Sequence, residues 1–140
     1  MGRILAIDYG KKRTGIAVTD TLQIIANGLT TIPTHELEKF LVDYTQREDV
    51  ELFVIGLPTQ TNGQPSENQE RVKQFTEKLK SKIPNIPTVF HDERFTSVLA
   101  HQAIIDSGIK KKKRQEKGLV DEISATIILQ SYMEQKRLGF

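Results

Sequence analysis

Ile4-Leu5-Ala6-Ile7 is an unbroken apolar run within residues 3–7, and Leu52-Phe53-Val54-Ile55 is another. Short runs of aliphatic and β-branched side chains suit strands buried on both faces of a sheet. Asp8-Tyr9-Gly10 ends the first run, Lys11-Lys12-Arg13 reads as a turn, and residues 14–19 (TGIAVT) read as a second strand. Residues 24–32 predict a third strand, with Asn27-Gly28 a bulge or turn inside it. The short connections favour antiparallel hairpins through these three.

Helical spacing takes over after Pro33-Thr34, where Leu37, Phe40, Leu41 and Tyr44 form one apolar stripe. Gly56-Leu57-Pro58 closes the fourth strand, and residues 59–65 are polar, with Asn62-Gly63 a turn signal. Ser66 and Gln69 have the spacing of a capping box, ahead of a second stripe made by Val72, Phe75, Leu79 and Ile83. Pro84 and Pro87 bracket the end of that helix, and residues 88–91 predict a fifth strand. Thr96 or Ser97 can cap a helix over 98–107, with Gly108 at its stop, and a last helix runs from about residue 119 to 136. The order β-β-β-α-β-α-β-α-α predicts an α/β fold, with a mixed antiparallel and parallel sheet in a single domain over residues 1–140.

Composition narrows the function classes. A chain of 140 residues with 37% apolar content can bury one real core without staples. Its longest apolar runs fall far short of the roughly 20 residues that span a bilayer. Met1-Gly2-Arg3 leads straight into the first strand with no signal-peptide apolar region, and Ala6 breaks the myristoylation pattern. A cytoplasmic protein with no membrane partner is therefore expected. The absence of Cys removes disulfides, thiolate metal sites and cysteine nucleophiles.

Charge is unevenly spread. Residues 110–117 (KKKKRQEK) hold six basic groups and one acid, a net +5 in a chain whose total is +2. One basic segment thus sits on a mildly acidic body, a pattern that suggests a local anionic partner, although a solvated loop has the same look.

Acids stand where strands end. Asp8 ends the first buried strand, and Asp92 and Glu93 follow the fifth. Open α/β sheets bind ligands at such carboxyl ends. Asp121 falls in the first turn of the last helix, with Ser124, Ala125 and Ile128 on the same small-to-apolar face. A carboxylate on a face that packs against a sheet must be neutral, hydrogen-bonded, paired or metal-bound. Each acid has an ordinary reading: Asp121 as charge at a helix N-terminus, Asp8 as a turn cap, Glu93 as a partner of Arg94 or of the Lys run. Together they converge only through the fold, being separated by 85 and 28 residues. Three converging carboxylates without thiolates suit a hard divalent cation, Mg²⁺ or Mn²⁺. Such a site fits phosphodiester hydrolysis, one ion lowering the pKa of the attacking water and another stabilising the leaving oxygen.

Four segments in order carry a resemblance: Ile7-Asp8-Tyr9-Gly10 with Thr14-Gly15-Ile16-Ala17; Ile55-Gly56-Leu57-Pro58; residues 91–97 (HDERFTS); and Lys117-Gly118-Leu119-Val120-Asp121. Together they closely resemble the YqgF family of pre-16S ribosomal RNA nucleases, also described as Holliday junction resolvase-like. The likeness covers essentially the whole chain. It implies a ribonuclease H-like fold, with five strands in a mixed sheet, the first three antiparallel, and helices on both faces. It also implies catalytic and metal-holding acids at Asp8, Glu93 and Asp121, choosing Glu93 over Asp92. RuvC resolvases carry a second acid three residues after the first on the last helix, where this chain has Ser124.

The implied partner is nucleic acid, most directly precursor ribosomal RNA, with ribosomal particles and branched DNA as further candidates. Lys11, Lys12 and Arg13 lie beside Asp8 and can hold a phosphodiester, as can Arg94. Lys110, Lys111, Lys112, Lys113, Arg114 and Lys117 are the best candidates for contact with the nucleic-acid backbone. With no Trp and few aromatics, extensive base stacking is not expected. Gly10 and Gly15 let a phosphate or the opposing backbone approach closely. His35, His91 and His101 share no metal-ligand spacing and read as incidental.

Two other functions compete with a nuclease. Asp8-Tyr9-Gly10 followed by residues 14–18 (TGIAV) also resembles the first phosphate motif of the actin and sugar-kinase superfamily. Those proteins close two domains around a nucleotide, which 140 residues hardly allow, and no Walker A pattern exists here. A non-catalytic RNA-binding assembly factor would use the basic segment and not the acids.

Overall fold

The computed structural model describes residues 2–57, 67–92 and 117–137. In chain order they form β1 (Arg3–Asp8), β2 (Arg13–Thr19), β3 (Ala26–Pro33), a 3-10 turn (Thr34–Glu36), α1 (Leu37–Arg47), β4 (Val50–Leu57), α2 (Glu67–Lys82), β5 (Thr88–Asp92) and α3 (Lys117–Arg137). The expected loop over 59–65, the helix over 98–107 and the basic run from Lys110 to Arg114 lie outside the described residues.

The strands make one sheet in the order β3-β2-β1-β4-β5. β1, β2 and β3 pair antiparallel, while β4 and β5 join parallel. β1 is therefore central, and its apolar run is buried from both sides, with Ile4, Leu5, Ala6 and Ile7 at 1% exposure or less. A bulge interrupts the β2–β3 ladder where Ile16 pairs with Thr30 but Ala17 pairs with Gly28, leaving Leu29 as the extra residue. It falls next to the Asn27-Gly28 pair that predicted it.

Strand alternation divides the core in two. Leu5, Ile7, Ile16, Val18, Phe53 and Ile55 face α1 and α2, meeting Leu37, Leu41, Tyr44, Val72, Phe75 and Leu79. These are the large side chains of the two predicted stripes. On the other face, Ile4, Ala6, Ala17 and Val54 meet Ala125, Ile128 and Leu129 of α3. Alanines on both sides of that interface let α3 lie close to the sheet. Helices thus cover both faces.

Three expected boundaries move for local reasons. β3 starts at Ala26 rather than at residue 24, because the Asp20 carboxylate accepts hydrogen bonds from the backbone N–H groups of Leu22 (3.1 Å), Ile24 (2.8 Å) and Ile25 (2.8 Å). These donors, Ile25 foremost, hold its carboxyl below the ordinary carboxylate range. They wrap residues 20–25 into a turn in which Gln23 takes a positive φ of 59°. Arg13 belongs to β2 and not to the turn before it. α3 begins at Lys117, so Asp121 is its fifth residue and its first turn holds no acid. The placement of Asp121 in the first turn is thereby corrected, and a role as helix-terminal charge loses its basis.

Candidate active site at the sheet edge

Asp8 is the last residue of β1 and pairs with Gly15 of β2. Ile4 and Ala6 face α3, so the two-residue alternation brings Asp8 out on that same side. Its neighbours on the other flank end at the same edge. Ile7 pairs with Ile55, Gly56 with His91, and Leu57 with Asp92, the last residue of β5. The carboxyl ends of β1, β4 and β5 therefore form one rim, with Asp8 on it. Glu93 follows Asp92 directly in the sequence; Glu93 and Arg94 lie outside the described residues.

α3 approaches this rim from above the sheet. Gln130, Met133 and Glu134 line a cleft with Ile24, Ile25 and Ala26, beside the start of β3. Ala26 pairs with Thr19, whose hydroxyl accepts a hydrogen bond from the Ile4 N–H at 2.9 Å, so this part of α3 lies near the start of β1. Twenty-one helical residues rise about 30 Å, more than β1 spans. The opposite end of α3, with Lys117 and Asp121, is thus directed toward the edge where β1 ends. Asp121 lies one turn ahead of Ala125, whose side chain packs on the sheet. Ser124, three residues on, is half-buried. Among the described residues no three His, Asp or Glu side chains gather into a metal-sized group, and Glu93 is not one of those residues.

The turn after Asp8 is held firmly. A Cβ on Gly10 would sit 2.3 Å from the Arg13 carbonyl oxygen, so only glycine fits there. The opposing backbone, rather than a ligand, accounts for this glycine. The Thr34 hydroxyl donates to the Gly10 carbonyl at 2.6 Å, and the Thr34 N–H donates to the Lys12 carbonyl at 2.9 Å. From α2, Asn68 Nδ2 donates to the Tyr9 carbonyl at 3.0 Å, and the Tyr9 ring stacks on Phe75 with centroids 5.0 Å apart. Lys11 and Lys12 are exposed on this turn, and Arg13 is exposed at the start of β2.

His91 is a structural element that its sequence spacing did not reveal. It is 6% exposed, and its Nε2 lies 2.8 Å from Ser131 Oγ of α3, with the Tyr132 ring edge-on at 6.5 Å. Burial pushes its pKa below the ordinary 6.5, with the Asp92 carboxylate partly opposing. The histidine ties β5, which leads to Glu93, to the helix that carries Asp121. No helix among the described residues is long and apolar enough to cross a membrane.

Comparison with known proteins gives this edge a context. Relatives from Phocaeicola vulgatus (65% identical; 98% of this chain and 99% of the relative), Parabacteroides distasonis (63%; 98% of each) and Bacteroides fragilis (62%; 99% and 100%) each carry the name "Putative pre-16S rRNA nuclease". Among solved structures, Thermus thermophilus RuvC in complex with a Holliday junction substrate matches with a TM-score of 0.63 at 14% identity, over 99% of this chain and 97% of that one. Fowlpox virus resolvase, in complex with its Holliday junction DNA, matches with a TM-score of 0.60 at 17% identity, over 96% and 98%. Those likenesses bear out the ribonuclease H-like fold that the sequence resemblance implied. The family model described as "RuvX: Holliday junction resolvase" matches residues 2–135. With that match and relatives above 60% identity along nearly their whole length, the chain belongs to the RuvX family, the same family as the YqgF proteins.

Proposed function

We propose that this chain is a single-domain, divalent-cation-dependent nuclease that hydrolyses phosphodiester bonds in the 5′-end processing of precursor 16S ribosomal RNA. Asp8, Glu93 and Asp121 are its catalytic and metal-holding acids. The observation that carries this is the position of Asp8: half-buried, on the rim where three strands end, on the face that α3 covers. The relatives' shared name supplies the substrate class.

The donor chemistry fits a hard cation. All three acids offer carboxylate oxygens, and the chain has no Cys to favour a softer metal. A bound Mg²⁺ or Mn²⁺ would supply an acidified water nucleophile and charge stabilisation at the leaving oxygen. Asp8 is held in a fixed position because the turn that follows its strand is pinned by Thr34 and Asn68. Lys11, Lys12, Arg13 and Arg94 hold the scissile strand through its phosphates, and Lys110 to Arg114 with Lys117 add salt-sensitive backbone contact. These contacts carry little sequence information, so the cleavage point is set by RNA structure.

Asp8→Asn and Glu93→Gln, each assayed for Mg²⁺- or Mn²⁺-dependent cleavage of a precursor 16S rRNA, test the assignment. A loss of about 10²-fold or more in each folded variant is expected. Unchanged cleavage in both rules it out. A Holliday junction is the second substrate to assay, since the family description and the two fold neighbours concern resolvases. Ser124, at the position of the second helical acid in RuvC enzymes, favours the RNA substrate over that one.

A further inference from the structure

On the face of the sheet away from α3, a cleft of about 400 Å³ opens between the β1–β2 turn, α1 and α2. Tyr9 and Lys11 come from the turn, Thr34, His35 and Glu38 from the 3-10 turn and α1, and Arg71, Gln74, Phe75 and Lys78 from α2. The stacked Tyr9 and Phe75 rings are both part of its lining. The one acid among its described lining residues, Glu38, is engaged by Lys82 at 3.7 Å. Lys11, Arg71 and Lys78 make no ion pair with another described residue. Three cations lining one cleft outnumber its one described acid, and an anion bound among them is favoured by their combined charge.

We infer that this cleft is a second phosphate-binding site, which takes a nucleic-acid backbone phosphate next to the one cleaved; this rests on the nuclease reading above. Tyr9 and Lys11 belong to the turn that starts one residue after Asp8. Asp8 faces α3 on one side of the turn, and the cleft lies on the other. A strand engaged at Asp8 and crossing the turn meets Lys11 and then Arg71 and Lys78. Lys11 and Lys78 are exposed and Arg71 is half-buried, so the cleft is an open track for a polymer rather than a closed pocket for a small anion. Arg71 presents a planar fork suited to a phosphate, and Lys11 and Lys78 act as point charges around it.

The test is equilibrium binding of a short fluorescein-labelled single-stranded RNA to the full chain in EDTA, so that no cleavage occurs. Arg71→Gln with Lys78→Gln is compared with Lys73→Gln with Lys80→Gln, which removes the same charge from exposed positions of the same helix. The cleft variant is expected to bind about tenfold more weakly, and its slope of log affinity against log salt to flatten by about 1 to 1.5. The control is expected to stay near wild type. Equal losses in both variants overturn the inference, as does wild-type binding by the cleft variant. Calorimetric binding of inorganic phosphate as tight as that of the RNA also overturns it, in favour of a small-anion site. Because the assay needs no turnover, a failure here leaves the Asp8 and Glu93 test of the nuclease untouched, and the reverse holds.

Discussion

The Thr34 hydroxyl donates to the Gly10 carbonyl oxygen at 2.6 Å and lies 2.9 Å from the hydroxyl of Thr14, which is fully buried. With Thr34 donating to Gly10, Thr14 donates to Thr34. The chain of bonds links the end of β3 to the turn that follows Asp8. Thr34→Val keeps the shape, strands the Thr14 hydroxyl and leaves the Gly10 carbonyl without this donor. It is expected to cost about 1–3 kcal/mol in urea unfolding, while Thr34→Ser stays close to wild type. Equal stability of the valine variant would remove the hydroxyl from the account of how the turn is held.

Close packing of α3 makes a second prediction. Ala125 is fully buried, with Ala6 and Ala17 in the same cluster. Ala125→Leu inserts methylene groups into an interface that has no room for them, at a cost of about 1–3 kcal/mol. Displacement of α3 also moves Asp121, one turn earlier, so precursor-RNA cleavage is expected to fall by up to about 10²-fold in protein that remains folded. Wild-type cleavage by a destabilised Ala125→Leu chain would separate α3 packing from the reaction.

His91 makes stability depend on pH in a defined direction. Its folded-state pKa lies below 6.5 because of burial, with Asp92 partly opposing. Above pH 6.5 both folded and unfolded states hold the neutral ring, so His91 contributes nothing. As pH falls through 6.5 the unfolded chain takes up a proton that the folded chain resists. Stability therefore drops until the lowered folded-state pKa is passed, and levels off below it. Unfolding curves from about pH 7.5 to about pH 5 should show this loss in the wild type. In His91→Gln, which can still bond Ser131, the loss should be smaller. Parallel pH profiles for the two proteins would contradict the assignment.

Much of this architecture is legible in the residues themselves. The period-two and helical patterns around Leu5, Leu41 and Leu79 find their strands and helices because each element buries a single kind of face. Ile24 and Ile25 mislead, since two β-branched residues read as strand while the Asp20 carboxylate, acting locally, bends them into a turn. The start of α3 is missed because Gly118 reads as a breaker, although packing of Ala125 and Ile128 carries the helix through it. Asp8 stands out as a candidate because an acid closes an apolar run. The choice of Glu93 over Asp92 comes only from family resemblance. The cleft of Lys11, Arg71 and Lys78 is hard to read from the chain: Arg71 and Lys78 share a face of α2 that looks like an ordinary solvated one, and Lys11 joins them from the β1–β2 turn only through the fold.

The central claim is that Asp8, Glu93 and Asp121 act as one cation-holding set, and counting bound Mn²⁺ by electron paramagnetic resonance tests it without reliance on any substrate. Wild-type protein should bind Mn²⁺ and release it to excess Mg²⁺. Asp8→Asn, Glu93→Gln and Asp121→Asn should each weaken that binding by about tenfold or more. Identical Mn²⁺ titrations for the wild type and all three folded variants would contradict it.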